Sequence, residues 1–343
     1  MPGLTFPLPT RCRVGEFDLI ARYFQHPLAR EGVVLGNGDD CALLAPAPGM
    51  ALAVSTDMLV EGRHFLSTVD PQALGHKALA VNLSDLAAMG ARPLACTLAL
   101  ALPRADEAWL AGFSRGLLDL ADAHRCALVG GDTTAGPLNL CLTVFGEVPA
   151  AQAPRRSAAQ VGDDIYVSGQ LGDARLALEV FRGRWSAPAD VFERARARME
   201  RPTPRVALGL ALRGHIHACA DVSDGLLGDL GHILRASGVA AELAVDRLLA
   251  SPAVSDDVRQ LPLGLAWTCV LAGGDDYELV FTAPASAREA VAAAALAADT
   301  PVTRIGQVRA PVGGRCAVTL CQADGRPATL PADAALGSFD HFA

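Results

Sequence analysis

Along this chain, apolar runs stop again and again at aspartate flanked by glycine, serine or threonine. The segment from Val33 reaches Gly36-Asn37-Gly38-Asp39-Asp40, and the run from Ala51 ends in Ser55-Thr56-Asp57. A helical pattern carries Ser84-Asp85 within it, and Ala127–Val129 leads into Gly130-Gly131-Asp132-Thr133-Thr134. Residues 216–220 lead into Asp221-Val222-Ser223-Asp224-Gly225, and Trp267–Leu271 ends at Gly273-Gly274-Asp275-Asp276. Glycine and asparagine permit tight turns with exposed amides, while aspartate and serine supply hard oxygen atoms. Taken singly, each cluster reads as an ordinary turn or helix cap, and Asp224, just ahead of a helix, reads so most strongly. Taken together they read differently. Solubility scatters acids over polar faces, whereas these acids stand where apolar segments would deliver them to one rim, as strands of an α/β sheet do. Carboxylates gathered there repel one another, and divalent cations offset the repulsion. Oxygen ligands suit Mg²⁺ rather than zinc, and several such ions among aspartates fit phosphoryl transfer.

The intervening pattern is regular. Glu16–Phe24 reads as a short amphipathic helix, followed by a turn at 36–40 and a strand ending at Asp57. Asp70-Pro71 is an N-cap and first-turn proline, opening a helix to about Met89 that Gly90 and Pro93 terminate. Apolar residues surround its axis, which predicts burial. Leu74, Ala78 and Val81 share a stripe with Asp85, and a carboxylate there is costly unless hydrogen-bonded, paired or on a metal. Lys77, the only lysine in the chain, is not its neighbour on that stripe. Strands are predicted at 94–102 and 138–148, with a helix over 106–124 between them. The Pro- and Arg-containing stretch 149–161 breaks the pattern and divides an N-terminal domain, 1–148, from a C-terminal domain, 149–343. The second part reads as strands at 164–168, 216–220, 277–282, 301–309 and 316–320. Its helices reach about 181, span 189–200 and 205–213, reach about 236, and span 286–297, before an irregular tail at 327–340. The fold class is therefore α/β followed by α+β.

Composition narrows the function. At 343 residues, 51% hydrophobic and 19% charged, the chain is globular and long for one core. A net charge of -8 argues against a general nucleic-acid binder. The 9 cysteines are widely spaced with no CxxC pair, suggesting neither a disulfide framework nor a zinc site. The N-terminus lacks a signal pattern and no run approaches the roughly 18 apolar residues of a membrane span, so a cytoplasmic location without membrane contact is expected. There is no GxxxxGK[ST], no HRD…DFG series and no GxSxG elbow. His215-x-His217 lacks carboxylate or cysteine partners nearby. His64, following the Asp57 cluster, reads either as a core histidine or as a residue facing a substrate.

The ordered series GEFDLIARYF (15–24), GNGDDCALL (36–44), STDMLVEGRHF (55–65), KALAVNLSDLAAMGARP (77–93), GGDTT (130–134), DVSDGLLGDLGHI (221–233), GGDDYEL (273–279) and FDHF (339–342) resembles that of the bacterial thiamine-monophosphate kinases. It covers nearly the whole chain, and the series is far more specific than any single motif. That family resembles aminoimidazole-ribonucleotide synthetase in fold. The resemblance implies an N-terminal α/β domain whose sheet pairs with a second subunit's in a homodimer, and a C-terminal α+β domain completing the site. It implies transfer of the γ-phosphate of ATP to thiamine monophosphate with several Mg²⁺ ions, giving thiamine diphosphate and ADP, without a covalent nucleophile or dedicated base. Carried over by motif, Asp40, Ser55, Thr56, Asp57, Asp85, Asp132, Asp221 and Asp224 would bind or position Mg²⁺. Gly131, Asp132, Arg156 and Ser223 would contact ATP, and His64, Asp275 and Phe339 would contact thiamine monophosphate. Two departures stand out. The family commonly has Glu at Asp275, so reach is shortened by a methylene, and commonly Tyr or Trp at Phe339, where stacking survives but a polar handle is lost. Two rivals stay open: another ATP-dependent synthetase of the same superfamily, and a non-catalytic nucleotide- or metal-binding scaffold. Selenophosphate synthetase fits less well, because it uses an N-terminal Cys with a nearby Lys, whereas Cys12 is followed by Arg13-Val14-Gly15.

Overall fold

The computed structural model describes residues 16–25, 30–37, 40–311 and 313–337. Gly38, Asp39 and Phe339, all part of the motif series, lie outside the described residues. Helix α1 (Glu16–Leu19) runs into a π-helical turn, Ile20–Phe24, that buries Tyr23 and Phe24. A small antiparallel pair, β1 (Val33–Leu35) and β2 (Leu43–Leu44), follows. Then come β3 (Met50–Val60), α2 (Pro71–Ala88), β4 (Arg92–Leu102), α3 (Glu107–Ala123), β5 (Ala127–Ala135) and β6 (Asn139–Pro149). These strands form a four-stranded sheet in the order β3-β6-β4-β5, with β4 and β5 parallel and the other pairs antiparallel.

The second half contains β7 (Asp164–Ser168), α4 (Asp173–Phe181), α5 (Ala189–Glu200), α6 (Val206–Ala211), β8 (Ala218–Asp221), α7 (Leu226–Ser237) and β9 (Ala240–Ala244). It continues with α8 (Val245–Ala250), α9 (Asp256–Arg259), α10 (Leu263–Ala272), β10 (Leu279–Ala283), α11 (Arg288–Ala297), β11 (Val302–Arg309) and β12 (Val318–Cys321). Its six-stranded sheet has the order β12-β9-β11-β7-β10-β8. The two-residue period of a strand decides what each face covers. Tyr166, Leu279 and Phe281 enter a core shared with α2 and α3, while Ile165, Val167 and Val280 enter a second core beneath α4, α7 and α10.

Helix α2 lies at the seam of the molecule. Asp70 caps it by accepting from the amides of Gln72 and Ala73, and Pro71 takes the first position. It is apolar all round because it touches β3 and β6 on one side, α3 along its flank, and α6 and β8 beyond. The anticipated rim of strand ends is not what positions the acids. Asp57 lies inside β3, Asp85 in the last turn of α2, Asp132 inside β5 and Asp275 after a helix, leaving Asp221 as the acid of this set that ends a strand. Strand β3 runs on because Met58-Leu59-Val60 keeps pairing with β6. The run Trp267–Leu271 belongs to helix α10. Strand β9 and helices α8 and α9 have no counterpart in the sequence reading, because AAELA is helix-forming by composition and is held extended by β11 and β12. Among the described residues no helix is long and apolar enough to cross a membrane.

Candidate functional site

Strand alternation on β3 sorts the Ser55-Thr56-Asp57 cluster onto two faces. Ser55 and Asp57 turn inward toward α2, and Leu52, Val54, Thr56 and Met58 turn outward. The inward pair is held by the helix. The Asp57 amide donates to Asn82 Oδ1 at 3.1 Å, and Asn82 Nδ2 donates to the Ala78 carbonyl at 3.0 Å. One turn on, Asp85 Oδ2 accepts the Ser55 hydroxyl at 2.5 Å. Asp221, buried at the end of β8, completes the group. The three carboxylates thus come from β3, α2 and β8, and each raises the cost of ionising the others. Burial, then Asp85, pushes Asp57 up to about 6. Burial, then Asp85, pushes Asp221 up to about 8, with Asp229 and Asp57 adding to it. Burial also raises Asp85, against the pull of the Ser55 hydroxyl and the Arg156 guanidinium. Arg156 stands on an exposed 3₁₀ turn, Arg156–Ala158, whose first carbonyl accepts the Ser237 hydroxyl at 2.7 Å.

Two glycine-rich loops form the adjoining wall. The amides of Asp275 and Tyr277 donate to the carbonyls of Ser223 and Val222 at 2.8 and 2.9 Å, and the Val222 amide donates to Glu278 at 2.7 Å. Asp229, in the first turn of α7, accepts the amides of Ser223 and Asp224, both at 3.0 Å, and burial pushes it up to about 7. Asp224 is therefore not the side-chain cap of α7, which starts after Gly225 without one. Asp275 forms a 2.6 Å ion pair with buried Lys77. Tyr277 is raised by burial, then by the carboxylates of Asp275, Asp57 and Asp221 that face it. Glu278, fully buried, accepts from Arg198, Arg205 and Ser168, and these donors outweigh burial and hold its carboxyl below the usual range.

The remaining positions lie elsewhere. The Thr56 hydroxyl meets Thr143 at 2.8 Å on the outward face. Gly131 and Asp132 sit on β5, the far edge of the sheet, three strand spacings or about 14 Å from β3. Gly131 is a backbone requirement: at φ 147° a Cβ would stand 1.9 Å from the Leu98 carbonyl oxygen. Asp40 is exposed on the segment that Asn37 ties to the carbonyls of Phe24 and Leu128. His64 follows β3, and its Nδ1 accepts the Val60 amide at 3.0 Å, which leaves the proton of the neutral ring on Nε2. So the structure gathers Ser55, Asp57, Asp85 and Asp221, with Arg156, Ser223, Asp224 and Asp275 around them, and does not bring Thr56, Asp132 or Asp40 to that group.

The sequence reading missed Asn82, Asp229 and Tyr277, and gave Lys77 no role. Asn82 carried a usable signal, a polar side chain inside an otherwise apolar helix. Among the described residues no three His, Cys, Asp or Glu side chains are close enough to hold a metal by themselves. The gathered donors are oxygen atoms without histidine or thiol, and their negative charge is offset within the chain by one rim arginine and one buried lysine. That chemistry fits a hard divalent cation whose shell is shared with phosphate.

Residues 38–148 match the family model described as AIR synthase related protein, N-terminal domain, and residues 160–318 match its C-terminal domain. The chain is 46% identical over 331 residues to a thiamine-monophosphate kinase of Escherichia coli K12, covering 96% of this chain and 98% of that one. It superposes on a crystal structure of thiamine-monophosphate kinase from Stenotrophomonas maltophilia K279a with a TM-score of 0.79 at 47% identity, covering 90% and 95% of the two chains. A structure of AaThiL complexed with AMPPCP and TMP matches at 27% identity with a TM-score of 0.70, covering 95% and 97%.

Proposed function

The chain belongs to the thiamine-monophosphate kinase family, and from that premise we propose that it transfers the γ-phosphoryl group of ATP to thiamine monophosphate. The products are thiamine diphosphate and ADP. The observation that carries this reading beyond kinship is the group of Asp57, Asp85 and Asp221, delivered by three separate elements to one buried place beside Arg156.

The acceptor is a phosphate monoester whose second pKa is about 6, so near neutral pH it is already nucleophilic and needs little general-base help. The terminal P–O bond to ADP breaks as an oxygen of the acceptor phosphate attacks in line. The difficulty is bringing two polyanions together. Mg²⁺, when bound, supplies the charge that cancels this repulsion and steadies the transferring group. Asp57, Asp85 and Asp221 would share it with phosphate oxygens rather than enclose it on their own, while Asn82 fixes the backbone of Asp57 and Ser55 fixes the rotamer of Asp85. Arg156 seats phosphate from the rim, and Asp229 shapes the turn that presents Ser223 and Asp224. We assign Asp40, Asp132 and Asp224 to ions that arrive with the nucleotide, Gly131 to the ATP side, and His64, Asp275 and Phe339 to thiamine monophosphate; Thr56, turned to the opposite face of β3 against Thr143, takes no ion in this reading. The domains divide at 148/149. The chain works as a homodimer that covers the outward face of β3, where Leu52, Val54 and Met58 are 44%, 55% and 53% exposed. Its unpaired cysteines among the described residues fit a reducing cytoplasm.

The test is ³¹P NMR of the protein with ATP and thiamine monophosphate. A diphosphate doublet assigned to thiamine diphosphate, present with Mg²⁺ and absent with chelator, is expected. No transfer under any divalent ion rejects the assignment.

A further inference from the structure

Lys77, the only lysine of the chain, is 3% exposed. Its ammonium donates to Asp275 Oδ2 at 2.6 Å and to the Met199 carbonyl at 2.9 Å. The pair joins α2, which packs on the four-stranded sheet, to the loop following α10 in the second half. That loop is strained. Asp275 and Tyr277 both have left-handed backbones, at φ 62° and 51°, a conformation aspartate tolerates and tyrosine adopts at a cost. It has no room to relax, since a Cβ on Gly274 would stand 2.6 Å from the Ser223 carbonyl oxygen, and both loop amides are already bonded to the 222–223 turn. The backbone therefore fixes where Asp275 starts and leaves its carboxylate to be fixed by side chains. One oxygen is on Lys77, and 33% of the side chain stays open. Tyr277 in turn faces Asp57 and Asp221.

We propose that Lys77 is a positioning residue for the acceptor substrate: its buried ammonium locks the Asp275 carboxylate at the edge of the aspartate group, ready for the cationic thiazolium–aminopyrimidine portion of thiamine monophosphate. This rests on the reading of Asp275 as a substrate contact and extends it to a residue that makes no substrate contact itself. The physical reason is preorganisation. A carboxylate held before the ligand arrives does not lose side-chain freedom on binding. A partner buried as deeply as Lys77 cannot be removed without leaving an uncompensated charge behind, unlike a surface pair.

Steady-state kinetics on four proteins tests it: wild type, Lys77→Gln, Asp275→Asn and the double variant. With Asp275 in place, Lys77→Gln raises KM for thiamine monophosphate about tenfold, while kcat and KM for ATP move less than about threefold. In the Asp275→Asn background the same substitution moves that KM less than about threefold, because the carboxylate it positions is gone. A purely structural pin would lower the melting temperature in both backgrounds and leave KM unmoved; that result overturns the proposal, as does an equal rise in both backgrounds. If Lys77→Gln does not fold, Lys77→Arg carries the same cycle, its planar head displacing Asp275 and raising KM in that background alone; a rise in both overturns the proposal. Wild-type protein that does not phosphorylate thiamine monophosphate rejects the underlying assignment as well, whereas active wild type with an unmoved KM in the Lys77 variants rejects the positioning role alone.

Discussion

The two faces of strand β3 share a backbone and differ in everything else. Inward, Ser55 and Asp57 are clamped by Asn82 and Asp85 of α2. Outward, Leu52, Val54 and Met58 lie open and the Thr56 hydroxyl meets that of Thr143. The difference teaches that adjacency in sequence is opposition in space along a strand. The inner face concentrates charge that needs a counter-ion, and the outer face concentrates apolar surface that needs a cover. A single strand therefore serves both the proposed chemistry and the proposed assembly.

The contrast can be broken most forcefully at Asp57. Asp57→Asn should lower kcat/KM about 10²–10³-fold, the scale for losing one preorganised electrostatic group, with the fold intact by circular dichroism. Thr56→Val, one residue away on the other face, should cost no more than about tenfold. Equal losses would erase the distinction between the faces. On the outward side, Val54→Asp should convert a dimer to monomer in sedimentation equilibrium, because it sets charge into an apolar contact. An unchanged mass would free that face of the assembly role. Next in size, Gly131→Ala should destabilise the fold by about 1–3 kcal/mol in urea denaturation, since its Cβ meets the Leu98 carbonyl. Full stability would show that β4 and β5 can part at no cost.

The smallest effect is on pH dependence. Asp57, Asp229 and Asp221 titrate in the fold near about 6, about 7 and about 8, above the 3.8 of an unperturbed aspartate. Groups raised by folding favour the folded state when protonated. Their stabilising contribution is complete below pH 3.8 and is lost as pH rises through 6 to 8. Without divalent ions the melting temperature should therefore decline across that window, and Mg²⁺ should restore it more at pH 8 than at pH 6. Asp57→Asn and Asp221→Asn should flatten the decline. A melting temperature that climbs from pH 6 to 8 in the metal-free protein would contradict the burial of these acids.

Much of this is legible in the sequence alone. The Asp70-Pro71 start and Gly90 stop of α2, its all-round apolar character and the oddity of Asp85 within it all hold in the structure. What the sequence could not convey was the seam between halves. Lys77 and Asp275 lie 198 residues apart in the chain, and nothing local links an ammonium to that loop. The same is true of Asp229, which acts on the turn before its own helix. The sorting of Thr56 away from Ser55 and Asp57 was implicit in a period of two, yet the cluster invites reading as one contiguous ligand set. Strand β9 illustrates the opposite failure, a helix-forming sequence held extended by its neighbours.

One measurement addresses the inner face without intermediaries. Crystals grown with Mn²⁺, a non-hydrolysable ATP analogue and thiamine monophosphate would place the ions by anomalous scattering. The account predicts manganese within coordination distance of at least one carboxylate of the group Asp57, Asp85 and Asp221, with the nucleotide phosphates completing its shell. Ions and phosphates found only along the outer face near Asp40 and Asp132, with the inner carboxylates unliganded, would contradict it.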